Sequence, residues 1–329
     1  MSYTEHYENI LTRFQDLDLL KESEFDTFKN SEFAEEIIKT CIQLCENASG
    51  KLKIPLHFAV IYNHTFNATA KIKNDSATII FNLGLIDKLE SIISDSMNLF
   101  MAENIASMTI QNEEKNILER ILIKCCISYL FHHELAHIIQ LLNINSDKEF
   151  NLQEKYSNTE NFEVRNHIYE LDADHFGSAM SAYNLLDEIM NSSNQFETVK
   201  LFNALTSLLF TTSNIIIEFS GNNFQNIYYK ENSHPHPLIR IIECSEQVLS
   251  FISSNLNIPK QFFEATLQRT VTMISQIIYS DGRKIDYSKL YSENSKEMSN
   301  YIDEIDKLNE NYAELTRHKS QQIFNVLTK

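Results

Sequence analysis

Residues that break regular structure are scarce in this chain: five glycines and four prolines among 329 residues. So few breakers mean few turns, which argues against a turn-rich fold and predicts long helices. Positive charge is in short supply as well. Lysine and arginine number 28 against 45 aspartates and glutamates, a net charge of −17. That balance argues against a general nucleic-acid binder or a protein held on an anionic membrane, while leaving room for a local basic patch. No long, clean apolar run is present. The most apolar stretch, Leu201 to Phe219, is interrupted by Asn203, Thr206, Ser207, Thr211, Thr212, Ser213 and Asn214. It reads as a buried helix, not a membrane span. The first eight residues have neither the basic start nor the apolar core of a signal peptide. The five cysteines (Cys41, Cys45, Cys125, Cys126, Cys244) are odd in number and lie mostly in apolar helical runs. Reduced, buried thiols of a cytosolic protein explain them better than a metal pair at Cys41 and Cys45.

What is present is the core of an ordinary globular protein, with 43% hydrophobic residues and length enough for one large domain or two smaller ones. Residues 1 to about 50 read as helices, with Ile10, Phe14, Leu17 and Leu20, then Phe33, Ile37, Ile38, Cys41 and Cys45, at helical spacing. Leu56 to Tyr62 and Ala77 to Leu83 read as strands. The Asn63 to Ser76 connection has room for a short strand, and a purely structural hairpin fits as well as a strand that borders a cleft. Helices are expected from Leu85 to Ile110, from Glu114 to Leu142, around Glu170, over Leu201 to Phe219, over Ile241 to Leu256 and over Pro259 to Tyr279. A polar connection, Ser280 to Asn294, leads to a final helix from Ser295 to Leu327 with Ile302, Ile305, Leu308, Tyr312 and Leu315 on one stripe. That stripe suits packing on the chain's own core better than self-association. The expected class is mainly α with a small β-sheet (α+β). Residues 1–50 would form an N-terminal helical segment, 51–245 a core, and 246–329 a C-terminal helical extension.

The chemistry concentrates in Phe131-His132-His133-Glu134-Leu135-Ala136-His137, which contains H-E-x-x-H. On a helix His133 and His137 are one turn apart on one face, so both imidazoles can reach one metal ion. Glu134 can then reach a water in an open zinc position. Two histidines on an ordinary surface helix satisfy the same pattern, so the motif does not decide alone. A second segment, Tyr169-Glu170-Leu171-Asp172-Ala173-Asp174-His175-Phe176-Gly177, brings Glu170 33 residues after His137. Catalytic zinc usually takes three protein ligands and a water, and Glu170 can be the third. Asp174, one turn on, can accept the free N–H of a ligand imidazole and fix its orientation. Small Ala173 and Gly177 suit close packing on the first helix. An acidic, solvated helix face is the competing reading, and Asp172 is expected to be a bystander there. A third segment, Ser233-His234-Pro235-His236-Pro237-Leu238-Ile239-Arg240-Ile241, is stiffened by two prolines before a helix near Leu238. It would deliver His234 and Arg240 to a fixed place. By itself it also fits a plain turn with exposed histidines.

These three segments, in this order, resemble the gluzincin metallopeptidases of the HtpX and CAAX prenyl-protease family. That family carries H-E-x-x-H, then E-x-x-A-D, then H-P-x-x-x-x-R-I, the last matched by His234, Pro235, Arg240 and Ile241. A fourth piece lies upstream: Asn67-Ala68-Thr69-Ala70 resembles the family's N-A-x-A segment, and Ile79 to Ile86, with Gly84, its strand ending in G-L-L. The resemblance covers roughly residues 55 to 245. The chain departs from the best-known members in showing no transmembrane helices, in having Thr69 where an aromatic is usual, and in a polar stretch from Asn145 to Asn161. Soluble, helix-rich gluzincins also include the Lit-type phage-exclusion peptidases, a second kinship.

The resemblance implies a zincin-like core and a zinc-dependent endopeptidase acting on a protein or peptide substrate in the cytoplasm. Zinc would be held by His133, His137 and Glu170, with Glu134 as general base. The family pattern assigns His234 to the oxyanion and Arg240 to holding the local carboxylates or the loop. In gluzincins the upstream strand borders the cleft and pairs with the substrate backbone. His132 and His175 fall out of register and are expected to be structural. Rival readings are a phage-defence or toxin-type protease that cleaves one cellular protein, and a non-catalytic zinc module, which would have no use for Glu134.

Overall fold

The computed structural model describes residues 1–15, 17–73, 76–104, 112–142, 150–153, 163–191, 198–221, 226–280 and 287–318. The chain is mainly helical with one small sheet. In order it forms Tyr3–Leu11 (α1), Ser31–Leu52 (α2), Leu56–Ile61 (β1), Ala68–Lys73 (β2), Ser76–Asn82 (β3), Leu83–Asn104 (α3) and Asn112–Leu142 (α4). Phe150–Gln153 (β4), Val164–Asn191 (α5), Thr198–Ser220 (α6), Pro237–Asn255 (α7), Lys260–Ser280 (α8) and Tyr287–Asn309 (α9) follow. Short 3-10 turns occupy Glu22–Thr27 and Thr316–His318. The scarcity of glycine and proline is thus realised as helices of up to 31 residues.

The sheet order is β1-β3-β2-β4. The expected strands exist, but β1 and β3 are parallel neighbours, with Phe58 beside Ile79, and not the arms of a hairpin. The connection between them contains β2, which turns back antiparallel to β3 and then pairs with β4. β4 lies in the polar stretch that carries no strand signal in the sequence; its pairing to Ala70 and Ile72 comes from the edge of β2, not from its own composition.

α1 is shorter than the apolar spacing predicts. It ends at Leu11, and the chain then runs along β1, with Leu20 N–H donating to Val60 O and Tyr62 N–H to Asp18 O, both at 2.8 Å. An edge strand needs partners for its backbone groups, and this segment supplies them. Phe14 and Leu19 meet Ile10 and Ala59 in a small cluster there. α2 carries the expected stripe, with Phe33, Ile37, Ile38, Cys41 and Cys45 buried. All five cysteines are buried free thiols, and burial pushes Cys125 up to about 12.

α6 is the one helix among the described residues long and apolar enough to cross a membrane, yet 89% of that window is buried inside the fold. It is a core helix. One hydrophobic cluster runs from Tyr3 to Leu315 and draws on all three expected segments of the chain. The C-terminal part departs from expectation. α9 starts at Tyr287, inside the stretch read as a polar connection, and stops at Asn309. Turns at Asn311 and Tyr312 then fold the chain back, so Leu315 is fully buried and Thr316–His318 reaches α5. The stripe does pack on the chain's own core, through Ile305 and Leu315 with Ile302, Leu308 and Tyr312 half-buried. The sequence reading of residues 319–327, of the helix end near Ile110 and of most of Asn145 to Asn161 lies outside the described residues.

His6 of α1 and His57 of β1 form a buried edge-to-face pair with ring centroids 5.4 Å apart. Phe58 N–H donates to His6 Nδ1 at 3.1 Å. Burial disfavours the charged ring and, with His6 and Arg13 nearby, lowers His57 from 6.5 to about 4. His6 is also lowered, mainly by burial. The unfolded chain therefore takes up these protons at higher pH than the folded one. Stability should be full above pH 6.5 and fall as pH drops toward 4, by about 1–2 kcal/mol for His57 once solvent screening is allowed for. Denaturant titrations of wild type and His57→Phe across that window check this; parallel pH profiles would exclude it.

Candidate metal centre

His133, Glu134 and His137 lie on α4, and Glu170, Asp172 and Asp174 lie on α5. These two helices make the most extensive helix–helix contact among the described elements. Gly177 permits it: a Cβ there would lie 2.7 Å from the Tyr129 carbonyl oxygen and 3.3 Å from the His133 nitrogen. The small residue expected to aid close packing is therefore required by it, since even alanine would force the helices apart next to His133.

The two histidines converge. Their Nε2 atoms are 3.1 Å apart. Glu170 places Oε2 3.6 Å from His133 Nε2 and Oε1 3.5 Å from His137 Nε2. All three side chains are buried and together could hold a metal ion. Each ring is oriented from behind. His133 Nδ1 lies 3.0 Å from Asp174 Oδ1, and His137 Nδ1 lies 2.9 Å from Gln140 Oε1. An acceptor at Nδ1 places the proton there and leaves the Nε2 lone pair for the metal.

Asp174 is the hub of the site. It accepts from Tyr129 Oη at 2.7 Å and from Arg240 Nε at 2.7 Å and Nη2 at 2.8 Å. Burial opposes its ionisation, but Arg240 and His133 outweigh that and hold the carboxyl well below its usual range. Glu170 behaves in the same way. Burial raises it, while His234, His137, His133 and Arg240 (Nη2 3.8 Å from Oε2) keep it ionised. Two buried carboxylates thus share one guanidinium, and a cation among the ligands would balance the remaining charge.

The third segment reaches this place too. Pro237 opens α7 at its first position, with His236 as the capping residue. His234 Nε2 lies 3.5 Å from Glu170 Oε1, and its Nδ1 is 2.8 Å from Ser233 Oγ. Arg240, fully buried, grips Asp174. His236 faces elsewhere: its Nδ1 accepts from Leu238 N–H at 3.1 Å, and its ring packs on Tyr228. Glu134 is buried beside His133 on α4.

His132 and His175 sit apart from the ligands, as their register predicts. His132 Nδ1 is held by the Ser128 carbonyl at 2.8 Å, and the ring sits between Phe131 and Phe176. His175 pairs with Glu243 at 2.8 Å. Asp172 overturns its reading as a bystander on a solvated face. It is fully buried, and accepts from Gln140 Nε2 at 2.9 Å, Thr316 N–H at 2.8 Å and Arg317 N–H at 3.1 Å. Tyr129 and Gln140 escaped the sequence reading, although each lies a helical turn from a ligand histidine, and that spacing was the available signal. His167 escaped it as well, although it lies one helical turn before Glu170 on α5. It bonds Tyr301 of α9 and the Asn232 carbonyl (2.8 Å), fastening the chain just before His234.

Comparison with protein-family models, with curated proteins and with solved structures finds no match.

Proposed function

We propose that the chain is a zinc-dependent endopeptidase with a zincin-like core, acting in the cytoplasm on a protein or peptide substrate. The observation that carries this reading is the convergence of His133 Nε2, His137 Nε2 and the Glu170 carboxylate at spacings of 3.1, 3.5 and 3.6 Å. Ligands at 2.0–2.1 Å from a tetrahedral zinc are separated by roughly 3.3–3.4 Å; the observed spacings lie near that figure, with Oε1 of Glu170 facing His137 and Oε2 facing His133. The donor set, two neutral imidazoles and one carboxylate, is that of a catalytic zinc site with a position left open.

When bound, zinc would acidify a water and polarise the scissile carbonyl. Glu134, next to the first ligand, takes the proton of the attacking water and passes it to the leaving amine. His234, whose Nε2 lies 3.5 Å from Glu170 Oε1, donates to the oxyanion that develops on the carbonyl. Asp174 and Gln140 hold the ligand tautomers, and Arg240 keeps Asp174 ionised. A non-catalytic zinc module would need the ligands but not Glu134.

The test is removal of metal with EDTA and restoration with zinc, assayed on an unfolded protein substrate. Activity lost and regained supports the enzyme; one zinc per chain without hydrolysis of any unfolded protein would leave a binding module. Ligand identity is checked separately. Glu170→Gln should lower zinc content from one per chain to a small fraction, because the amide is a poor ligand for zinc. Undiminished zinc by elemental analysis would remove Glu170 from the ligand set.

A further inference from the structure

The geometry points to the segment after α9 as a strap that orients the metal ligand His137, so that metal affinity depends on whether this segment is docked. The chain of contacts is continuous. Gln140, fully buried one turn beyond His137, accepts from His137 Nδ1 at 2.9 Å. Its amide nitrogen donates to Tyr169 O at 3.0 Å and to Asp172 Oδ2 at 2.9 Å. With two acceptors at that nitrogen, the amide cannot flip, and its oxygen stays turned toward the histidine. Asp172 in turn receives Thr316 N–H on Oδ2 at 2.8 Å and Arg317 N–H on Oδ1 at 3.1 Å.

The strap is fastened on both sides of this contact. Glu314 accepts from Tyr169 Oη at 2.6 Å, Leu315 is fully buried, and the Arg317 guanidinium reaches His175 Nδ1 and Asp306 Oδ1, each at 3.2 Å. Undocking it would take two backbone donors and Arg317 from a carboxylate that has no access to water. A buried carboxylate in that state reorients or draws in water, since leaving it poorly paired is unfavourable. Either response releases Gln140, and with it the ring of His137. His133 does not share this dependence, because its support runs through Asp174 to Tyr129 and Arg240. Asp172 and Gln140 are thus positioning residues for one ligand of the pair.

This inference rests on the zinc reading above. The test measures zinc affinity of the full chain by competition with a chromophoric chelator, with melting of the zinc-free protein as a check on folding. Gln140→Ala should weaken zinc binding about 10- to 100-fold, the range for lost partners of a metal-binding histidine. Thr316→Pro deletes the N–H that Asp172 accepts, at the first position of a short helical turn where proline is tolerated. It should weaken binding about 3- to 10-fold. The double variant should bind zinc no more weakly than Gln140→Ala alone, because both changes break one relay. Asp172→Asn should resemble Gln140→Ala, and if it does not fold, Thr316→Pro carries the comparison. Affinity within twofold of wild type for Gln140→Ala or Thr316→Pro, or losses that add in the double variant, would overturn the strap. If wild type itself takes up no stoichiometric zinc, the failure lies with the metal site and not with the strap.

Discussion

Glu134→Gln should keep zinc and fold while hydrolysis falls by roughly 100- to 10,000-fold, the range that a lost general base produces. The amide nearly reproduces the shape of the carboxylate but cannot accept the proton of the attacking water. Glu134 is buried on α4 between the two ligand histidines, and it is absent from the group of side chains whose atoms converge on the metal position. Its substitution should therefore leave metal content unchanged. The measurement is turnover of an unfolded protein substrate at matched zinc occupancy. Turnover within a few-fold of wild type would remove Glu134 from the chemistry and leave a zinc protein whose function is binding.

His234→Ala should lower turnover by roughly 100- to 1,000-fold with little change in substrate affinity or zinc content. A donor that meets the oxyanion only as it forms stabilises the transition state selectively, and losing one typically costs about 3 to 4 kcal/mol. His236→Ala is the control. Its ring caps α7 and packs on Tyr228, so its loss should cost about 1 kcal/mol of stability, as other cap removals do, and leave turnover nearly intact. Arg240→Ala is a poorer comparison, because it would strand the fully buried Asp174 carboxylate and disturb the whole site. If His236→Ala cripples hydrolysis and His234→Ala does not, the roles in this segment shift by two residues.

The site was far more legible in the sequence than the sheet or the C-terminus. His133 with His137, and Glu170 with Asp174, are pairs one helical turn apart, so the local period alone places each pair on one face. The close seam between α4 and α5 was foreshadowed by Gly177, which has almost no room for a side chain. The pairing of β1 with β3, by contrast, joins residues about 20 apart with a strand between them. Parallel pairing there leaves no local signature, and a hairpin has the same alternation. The end of α9 was hidden by its apolar stripe, which continues to Leu315 although the helix stops at Asn309.

The sequence by itself determined the helical class and the pairing of His133 with His137 and of Glu170 with Asp174 on the faces of two helices, because these depend on residue type and spacing within one turn. The tertiary structure alone decided that Asp172 is an anchor and not a solvated acid, and that Asp174 is the carboxylate Arg240 grips. Those roles arise where segments up to 145 residues apart meet. A carboxylate on a helix looks the same in sequence whether water or a distant backbone N–H satisfies it. Only the packing that excludes the water decides which.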